Sequence, residues 1–327
     1  MENEHQSGFV SLIGKPNVGK STLMNALVGE KLSIITSKAQ TTRHRIRGIV
    51  NGDDYQIVFS DTPGIIDPAY GLQEGMMKFV DAALVDADVI LYLTEIGIDP
   101  ENANGGERHE QLFEKLKNKK LPIFILINKI DLGDQDMLTK RVQQWESLVP
   151  QAQVFPISAL YKSFTAEVFT KIVASLPVSP PFFPKDELTD KPLRFFLSEI
   201  IREKIFLNYQ KEIPYSCEVE IEEYHENTVP IYVRALIYVA RDSQKGILIG
   251  HQGRMLKKVG TQARKDIEAF IGEQIFLELY VKVDKNWRDQ SSKLKRYGYL
   301  SWAASSSTSW IFAISGAALE YPLVTTM

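Results

Sequence analysis

Residues Gly14-Lys15-Pro16-Asn17-Val18-Gly19-Lys20-Ser21 follow a short apolar run and lead into a helical pattern. Glycines at the two ends of such a loop let backbone amides turn inward around phosphate oxygens. A lysine then reaches the β- and γ-phosphates, and the next hydroxyl can ligate magnesium. Lys20 and Ser21 stand at those positions, with Thr22 beside them. The competing reading of the octapeptide is an ordinary strand–turn–helix junction.

Three further stretches each follow an apolar run: Asp61-Thr62-Pro63-Gly64 after YQIVFS, Asn128-Lys129-Ile130-Asp131 after PIFILI, and Ser158-Ala159 after VFPI. Asp61 can hold a magnesium ion through water, and the Gly64 amide can contact a γ-phosphate, with Ile65 next in the chain. Asp131 can accept two hydrogen bonds from N1 and the 2-amino group of guanine. Adenine has no such donor pair, and an unpaired carboxylate there would be costly. Asn128 would brace the pocket, the Lys129 stem would lie over the base, and an amide of the Ser158-Ala159 turn could meet guanine O6. Each stretch alone also reads as a plain turn. Their order and strand-end placement suit a single GTP site.

The elements that must position them alternate. Strand-like runs at 8–13, 55–60, 88–93, 122–127 and 154–158 are separated by helical patterns such as 107–118 and 138–149. This predicts an α/β domain with a mainly parallel sheet and helices on both faces, with ligands at the carboxyl ends of the strands. Five prolines between 176 and 192 break the pattern. Beyond them the order becomes helix, two strands as a hairpin, two helices and a last strand, an α+β unit. The expected division is a first domain over 1–177, a linker over 178–191, a second domain over 192–290 and a tail over 291–327.

The 327 residues suit two domains, and a composition of 44% hydrophobic and 24% charged residues is that of an ordinary globular protein. A single cysteine, Cys217, excludes an internal disulfide and suits a reducing compartment. The polar start, MENEHQSG, is not a secretory signal. The net charge of −3 is uneven: 20 basic against 25 acidic residues in 1–191, and 18 against 15 in 192–299. From Arg241 to Lys265 there are seven Lys or Arg and one acid, Asp242. In that stretch Gly250-His251-Gln252-Gly253 separates two helical patterns. Glycines so placed let a nucleic-acid backbone approach. The competing reading is a helix cap beside a solvated basic helix.

With these motifs in order, residues 8–175 resemble a translation-factor-type GTPase domain, and Gln40-Thr41-Thr42-Arg43-His44 matches the switch I signature of the Era family. The second domain resembles a type II KH domain. Over 1–299 the chain resembles the Era family of bacterial ribosome-assembly GTPases. The resemblance implies magnesium at Ser21, Thr42 and Asp61, with Thr41 the alternative to Thr42, and reads His44 as a solvent-facing switch residue. It implies exchange of GTP and GDP, binding of 16S ribosomal RNA near its 3′ end, and a role in 30S subunit assembly. The expected RNA contacts are Gly250, His251, Gln252, Gly253, Arg254, Lys257 and Lys258. A cytoplasmic location is expected, with peripheral association at the inner face of the cell membrane and no DNA partner. In GTPases with a related loop the asparagine ligates potassium beside the phosphates, so Asn17 is a candidate potassium ligand; the alternative is that Pro16-Asn17 only shapes the loop.

Two departures from the family stand out. The GxxG loop carries His-Gln where a lysine is frequent, and the chain runs 28 residues past RYGY (296–299) with no charge over 302–319. That end reads as a floppy tail or an extra packed helix rather than a membrane span. Two rivals remain. A P-loop kinase is disfavoured by NKID, and a switch whose second domain binds protein or membrane is disfavoured by the basic GxxG region.

Overall fold

The computed structural model describes residues 4–100, 107–117 and 119–300. The uncharged end expected at 302–319 lies outside them. The first layer is a six-stranded sheet. Strand β1 (Gln6–Gly14) is followed by helix α1 (Lys20–Val28), then β2 (Ile46–Asn51), β3 (Tyr55–Asp61), α2 (Gly71–Asp86), β4 (Val89–Glu95) and α3 (Glu107–Lys117). After these come β5 (Ile123–Asn128), α4 (Gln135–Leu148), β6 (Gln153–Pro156) and α5 (Thr165–Val173). The order is β2-β3-β1-β4-β5-β6, all parallel except β2, which runs antiparallel to β3. The central strands are buried on both faces, so they read as continuous apolar runs. Strand β2 is an edge whose Arg47 and Gly48 hide its period, and sequence reading missed it.

The second unit starts with α6 (Leu193–Asn208) and a short turn of helix, α7 (Ile213–Ser216). Then come β7 (Cys217–His225), β8 (Ile231–Val239), α8 (Asp242–Ile249), α9 (Arg254–Ile271) and β9 (Ile275–Val283). Strands β7 and β8 form the expected antiparallel hairpin, and β9 lies parallel to β8. A core of Leu197, Ile201, Val233, Ile237, Val259 and Ile267 joins sheet to helices.

The proline-rich segment is tied to the first sheet. The amide of Ile49 donates to the Leu188 carbonyl at 2.9 Å, and the Gln56 side chain exchanges hydrogen bonds with Phe182 and Phe183. After β9 the chain returns to the first domain. Helix α10 (Ser291–Arg296) packs on α2, and Trp287, Leu294 and Tyr299 are buried in one cluster with Ile65 and Met76.

Candidate nucleotide site and nucleic-acid interface

The glycines of the first loop are required by close approach. A Cβ at Gly14, which has φ 154°, would lie 2.2 Å from the Leu93 carbonyl oxygen, and one at Gly19 (φ 98°) 2.3 Å from Asn128 Nδ2. Lys20 is buried, and its Nζ donates to the carbonyls of Gly14 (3.1 Å) and Lys15 (2.8 Å). Burial draws its pKa down to about 8 against the pull of Asp61. Burial also lowers the pKa of Lys15. A cleft of about 440 Å³ opens over Lys20, with Pro16, Asn17, Gly19, Thr22, Gln40 and Lys129 on its walls.

Ser21, Thr42 and Asp61 converge at one corner of this cleft. Ser21 Oγ donates to Asp61 Oδ2 at 2.6 Å, the Ser21 and Thr42 hydroxyls are 2.9 Å apart, and Thr42 Oγ1 lies 3.5 Å from Asp61 Oδ2. Asp61 is fully buried, and its Oδ1 has no hydrogen-bond partner among the described residues. Burial raises the Asp61 pKa, opposed by Ser21 and Lys20. A hard cation would satisfy the orphaned oxygen, and hydroxyls with a carboxylate are the donor set magnesium takes. Thr41 turns elsewhere: its Oγ1 meets Thr36 Oγ1 at 2.5 Å and the Lys38 carbonyl at 2.8 Å.

Behind Asp61 the chain is stitched to the phosphate loop. Thr62 Oγ1 donates to the Leu12 carbonyl at 2.7 Å and the Ile65 amide to the Gly14 carbonyl at 3.1 Å. Pro63 is buried, and Gly64 packs so closely on Pro16 that a Cβ would lie 2.7 Å from its Cα. Ile65 is buried in the core with Met76 and Tyr299, so the position after Gly64 offers the cleft no polar group. Asn17 adopts φ 64° and donates from Nδ2 to the Ser37 carbonyl at 3.0 Å, and among the described residues its amide oxygen is free for a ligand.

At the ends of β5 and β6, Asn128 joins two loops: Nδ2 donates to the Val18 carbonyl at 2.8 Å, and Oδ1 accepts from the Ala159 amide at 2.9 Å. Lys129 has φ 60° and pairs with Glu95. Ile130 starts a single helical turn that presents Asp131, exposed, with Oδ1 accepting from Ser158 Oγ at 2.5 Å. The six residues Asn128, Lys129, Ile130, Asp131, Ser158 and Ala159 therefore stand together, tied to the phosphate loop through Asn128, with Lys129 on the cleft wall.

Switch I leaves the cleft and enters the second unit. Lys38 Nζ donates to the carbonyls of Phe206 and Tyr209. The Arg43 guanidinium donates to the carbonyls of Cys217 (2.7 Å) and Pro214 (2.8 Å) and pairs with Glu218 at 3.1 Å. Gln40, with φ 58°, accepts from Gln73 at 3.1 Å. His44 corrects the sequence reading: it is half-buried among rings rather than solvent-facing. It stacks on Tyr299 at 4.3 Å and touches the rings of Phe79 and Phe195. Burial among these rings, with Arg202, Lys191 and Arg43 near, lowers its pKa well below the usual value. Nothing near His44 in sequence discloses the rings that cover it.

In the second unit Gly250 and Gly253 take φ 72° and 73°. Gly250 is packed, since a Cβ there would lie 2.8 Å from Met255, whereas nothing lies within 4 Å of one at Gly253. Gln252 is left-handed (φ 51°), and His251, Gln252, Arg254, Lys257 and Lys258 are exposed. A groove of about 480 Å³ between α9 and β9 is lined by Gly253, Lys257, Thr261, Arg264 and Phe276. Lys258 and Arg254 stand outside this lining. Sequence reading missed Thr261 and Arg264, although their spacing from Lys257 puts all three on one helix face. It also missed Phe276, which only the sheet brings near.

A family model described as "50S ribosome-binding GTPase" matches residues 9–129, and one described as "KH domain" matches 212–288. A curated protein of Staphylococcus haemolyticus (strain JCSC1435), "GTPase Era", is 43% identical over 299 residues, covering 91% of this chain and 98% of its own. The crystal structure of Era in complex with MgGDPNP and nucleotides 1506-1542 of 16S ribosomal RNA is similar at TM-score 0.84 and 36% identity, over 90% of this chain and 99% of that one. Era of Aquifex aeolicus bound to GDP and AlF4- is similar at TM-score 0.83 and 36% identity, with the same coverage. Both domains, their order and nearly the whole length are thus shared, and the chain belongs to the Era family of GTPases.

Proposed function

We propose that this GTPase is a magnesium-dependent switch that binds 16S ribosomal RNA near its 3′ end through the KH domain and assists assembly of the 30S subunit. The observation that carries the reading is the meeting of Ser21, Thr42 and Asp61, one from each of three segments, around an unpartnered buried carboxylate oxygen. The Era structure with MgGDPNP and a 16S RNA segment supports both ligands. Ser21, Thr42 and Asp61 would hold magnesium, which when bound neutralises charge on the β- and γ-phosphate oxygens. Lys20 exchanges its two carbonyl partners for phosphate oxygens, and the Gly64 amide meets the γ-phosphate. Asp131 selects guanine, with Asn128, Lys129, Ile130, Ser158 and Ala159 shaping the pocket. Asn17 would hold potassium, which when bound would supply positive charge to offset that developing on the phosphates.

The KH contacts are Gly250, His251, Gln252, Gly253, Arg254, Lys257 and Lys258, joined by Thr261, Arg264 and Phe276 of the groove. We assign residues 1–177 to the GTPase domain, 178–191 to the linker and 192–290 to the KH domain. The protein works in the cytoplasm; the family resemblance is the support for a peripheral membrane contact, and no helix among the described residues is long and apolar enough to cross a membrane.

The test is binding of the full chain to an RNA of the 16S 3′ sequence with a non-hydrolysable GTP analogue, with GDP, and with EDTA. Binding that depends on the nucleotide and on magnesium is expected. Equal binding in all three conditions would refute the switch.

A further inference from the structure

Thr42 is held from both sides by groups of the KH domain. On the following side, the Arg43 side chain is buried against Cys217, Pro214 and Glu218. On the preceding side, Arg202 of α6 donates from Nη2 to the Thr41 carbonyl at 2.6 Å. That carbonyl belongs to the peptide group whose nitrogen is that of Thr42. Both partners are buried: Arg202 is 1% exposed and Thr41 8%.

Arg202 is itself aimed by its own helix. Its Nε and Nη2 meet the two oxygens of Glu199, one turn earlier, at 2.7 and 2.5 Å. The guanidinium also lies over the Phe206 ring, 5.3 Å from its centroid. A planar guanidinium gripped along one edge can present a hydrogen only in a fixed direction. Here that direction is the Thr41 peptide. A buried ion pair contributes little net stability once desolvation is counted. Its effect is geometric: it fixes a backbone position in switch I at the point where Thr42 Oγ1 comes within 2.9 Å of Ser21 Oγ.

We propose that Arg202, although it lies in the RNA-binding domain, is a positioning residue for GTP hydrolysis: by holding the Thr41 carbonyl it sets Thr42 at the corner formed by Ser21 and Asp61. This rests on the reading of Thr42 as a magnesium ligand. A misplacement of about 1 Å at such a site can cost up to roughly a hundredfold in rate. Docking of the KH domain on switch I then completes the GTPase site, and any RNA contact that shifts α6 changes turnover.

The test uses full-length Arg202→Met, Glu199→Gln and Thr42→Ala, each first checked for folding by circular dichroism and thermal melting. Turnover, the magnesium concentration for half-maximal turnover, and the Kd of GDP and of a non-hydrolysable GTP analogue are then measured. Arg202→Met is expected to lower kcat about tenfold, to raise the magnesium requirement severalfold and to weaken the GTP analogue, while GDP affinity stays within about twofold. Glu199→Gln loosens the grip that aims Arg202 and is expected to give the same changes to a smaller degree. If Arg202→Met does not fold, the double variant with Glu199→Gln, which leaves no unpaired buried charge, carries the same expectation. Equal losses for GTP and GDP, or an unchanged magnesium requirement in Arg202→Met, would make Arg202 merely structural and overturn the proposal. Wild-type behaviour of Thr42→Ala would overturn the reading of Thr42 and the proposal with it. An impaired Thr42→Ala beside a normal Arg202→Met would overturn the positioning role alone.

Discussion

The Arg43 guanidinium of switch I lies 3.1 Å from the Glu218 carboxylate of β7, 175 residues later, with both side chains buried. The same carboxylate oxygen accepts from the Tyr299 hydroxyl at 2.7 Å. Burial raises the Glu218 pKa, and Arg43 and Tyr299 oppose the rise. The loop that carries Thr42, the first strand of the KH sheet and the last described turn of the chain thus share one carboxylate.

Replacing Arg43 by Met strands that carboxylate in the interior. The expected loss of stability is about 3–5 kcal/mol, read from urea unfolding of the full chain. Adding Glu218→Gln to the variant is expected to recover most of the loss. Independence of the two effects would mean that the pair is not coupled.

Asp131 is exposed and, among the described residues, held by Ser158 alone, so its second oxygen is open to a base. Asp131→Asn is expected to weaken GTP by about 1–3 kcal/mol or more and to favour xanthosine triphosphate, because the 2-amino donor loses its acceptor and a 2-oxo group gains a donor. Competition binding between the two nucleotides measures this. Unchanged preference would remove Asp131 from the base pocket.

Nothing lies within 4 Å of a Cβ built at Gly253, so this glycine is open to an approaching nucleic-acid backbone. Gly253→Asp sets a carboxylate there and strains a φ of 73°, and is expected to abolish RNA binding while basal GTP hydrolysis stays near wild type. Wild-type RNA affinity should fall as salt rises, since bound counterions are released. Full RNA binding by the variant would contradict the KH assignment.

The free amide oxygen of Asn17 and the apolar Ile65 lead to one kinetic expectation. Turnover in potassium chloride should exceed that in sodium chloride at equal ionic strength, and Asn17→Ala should remove the difference while sparing GTP binding. Equal wild-type rates in the two salts would return Asn17 to the role of a turn residue.

His109 accepts or donates a 2.6 Å hydrogen bond with the Tyr92 hydroxyl in the core, and burial, with Lys15 nearby, lowers its pKa to about 4. The unfolded chain binds the proton near pH 6.5, the folded chain only near 4. Stability therefore holds above pH 6.5 and is lost as pH falls towards 4. Urea midpoints measured across this range should fall with pH, and His109→Gln should flatten the slope. An unaltered slope would assign the acid sensitivity to other groups.

The sequence by itself determined the two domains, the parallel sheet, the hairpin and which polar residues stand at each strand end. These follow from local rules: a strand buried on both faces is a continuous apolar run, and a loop that must cradle phosphates needs glycine at both ends. Asn128 and Asp131 are adjacent enough in sequence to be read as one pocket. The tertiary structure alone decided what covers those residues. Arg43 and Glu218 look like surface charges to any window of sequence, and His44 looks polar and exposed. Edge strand β2 lacks a clean period because its outer side serves the linker. Residues 291–300 read as tail because the surface that buries Leu294 and Tyr299 lies on α2, more than two hundred residues earlier in the chain. Periodicity reports which face of an element is apolar; which distant side chain meets that face is settled only when the chain folds back, through packing and buried hydrogen bonds that span both domains.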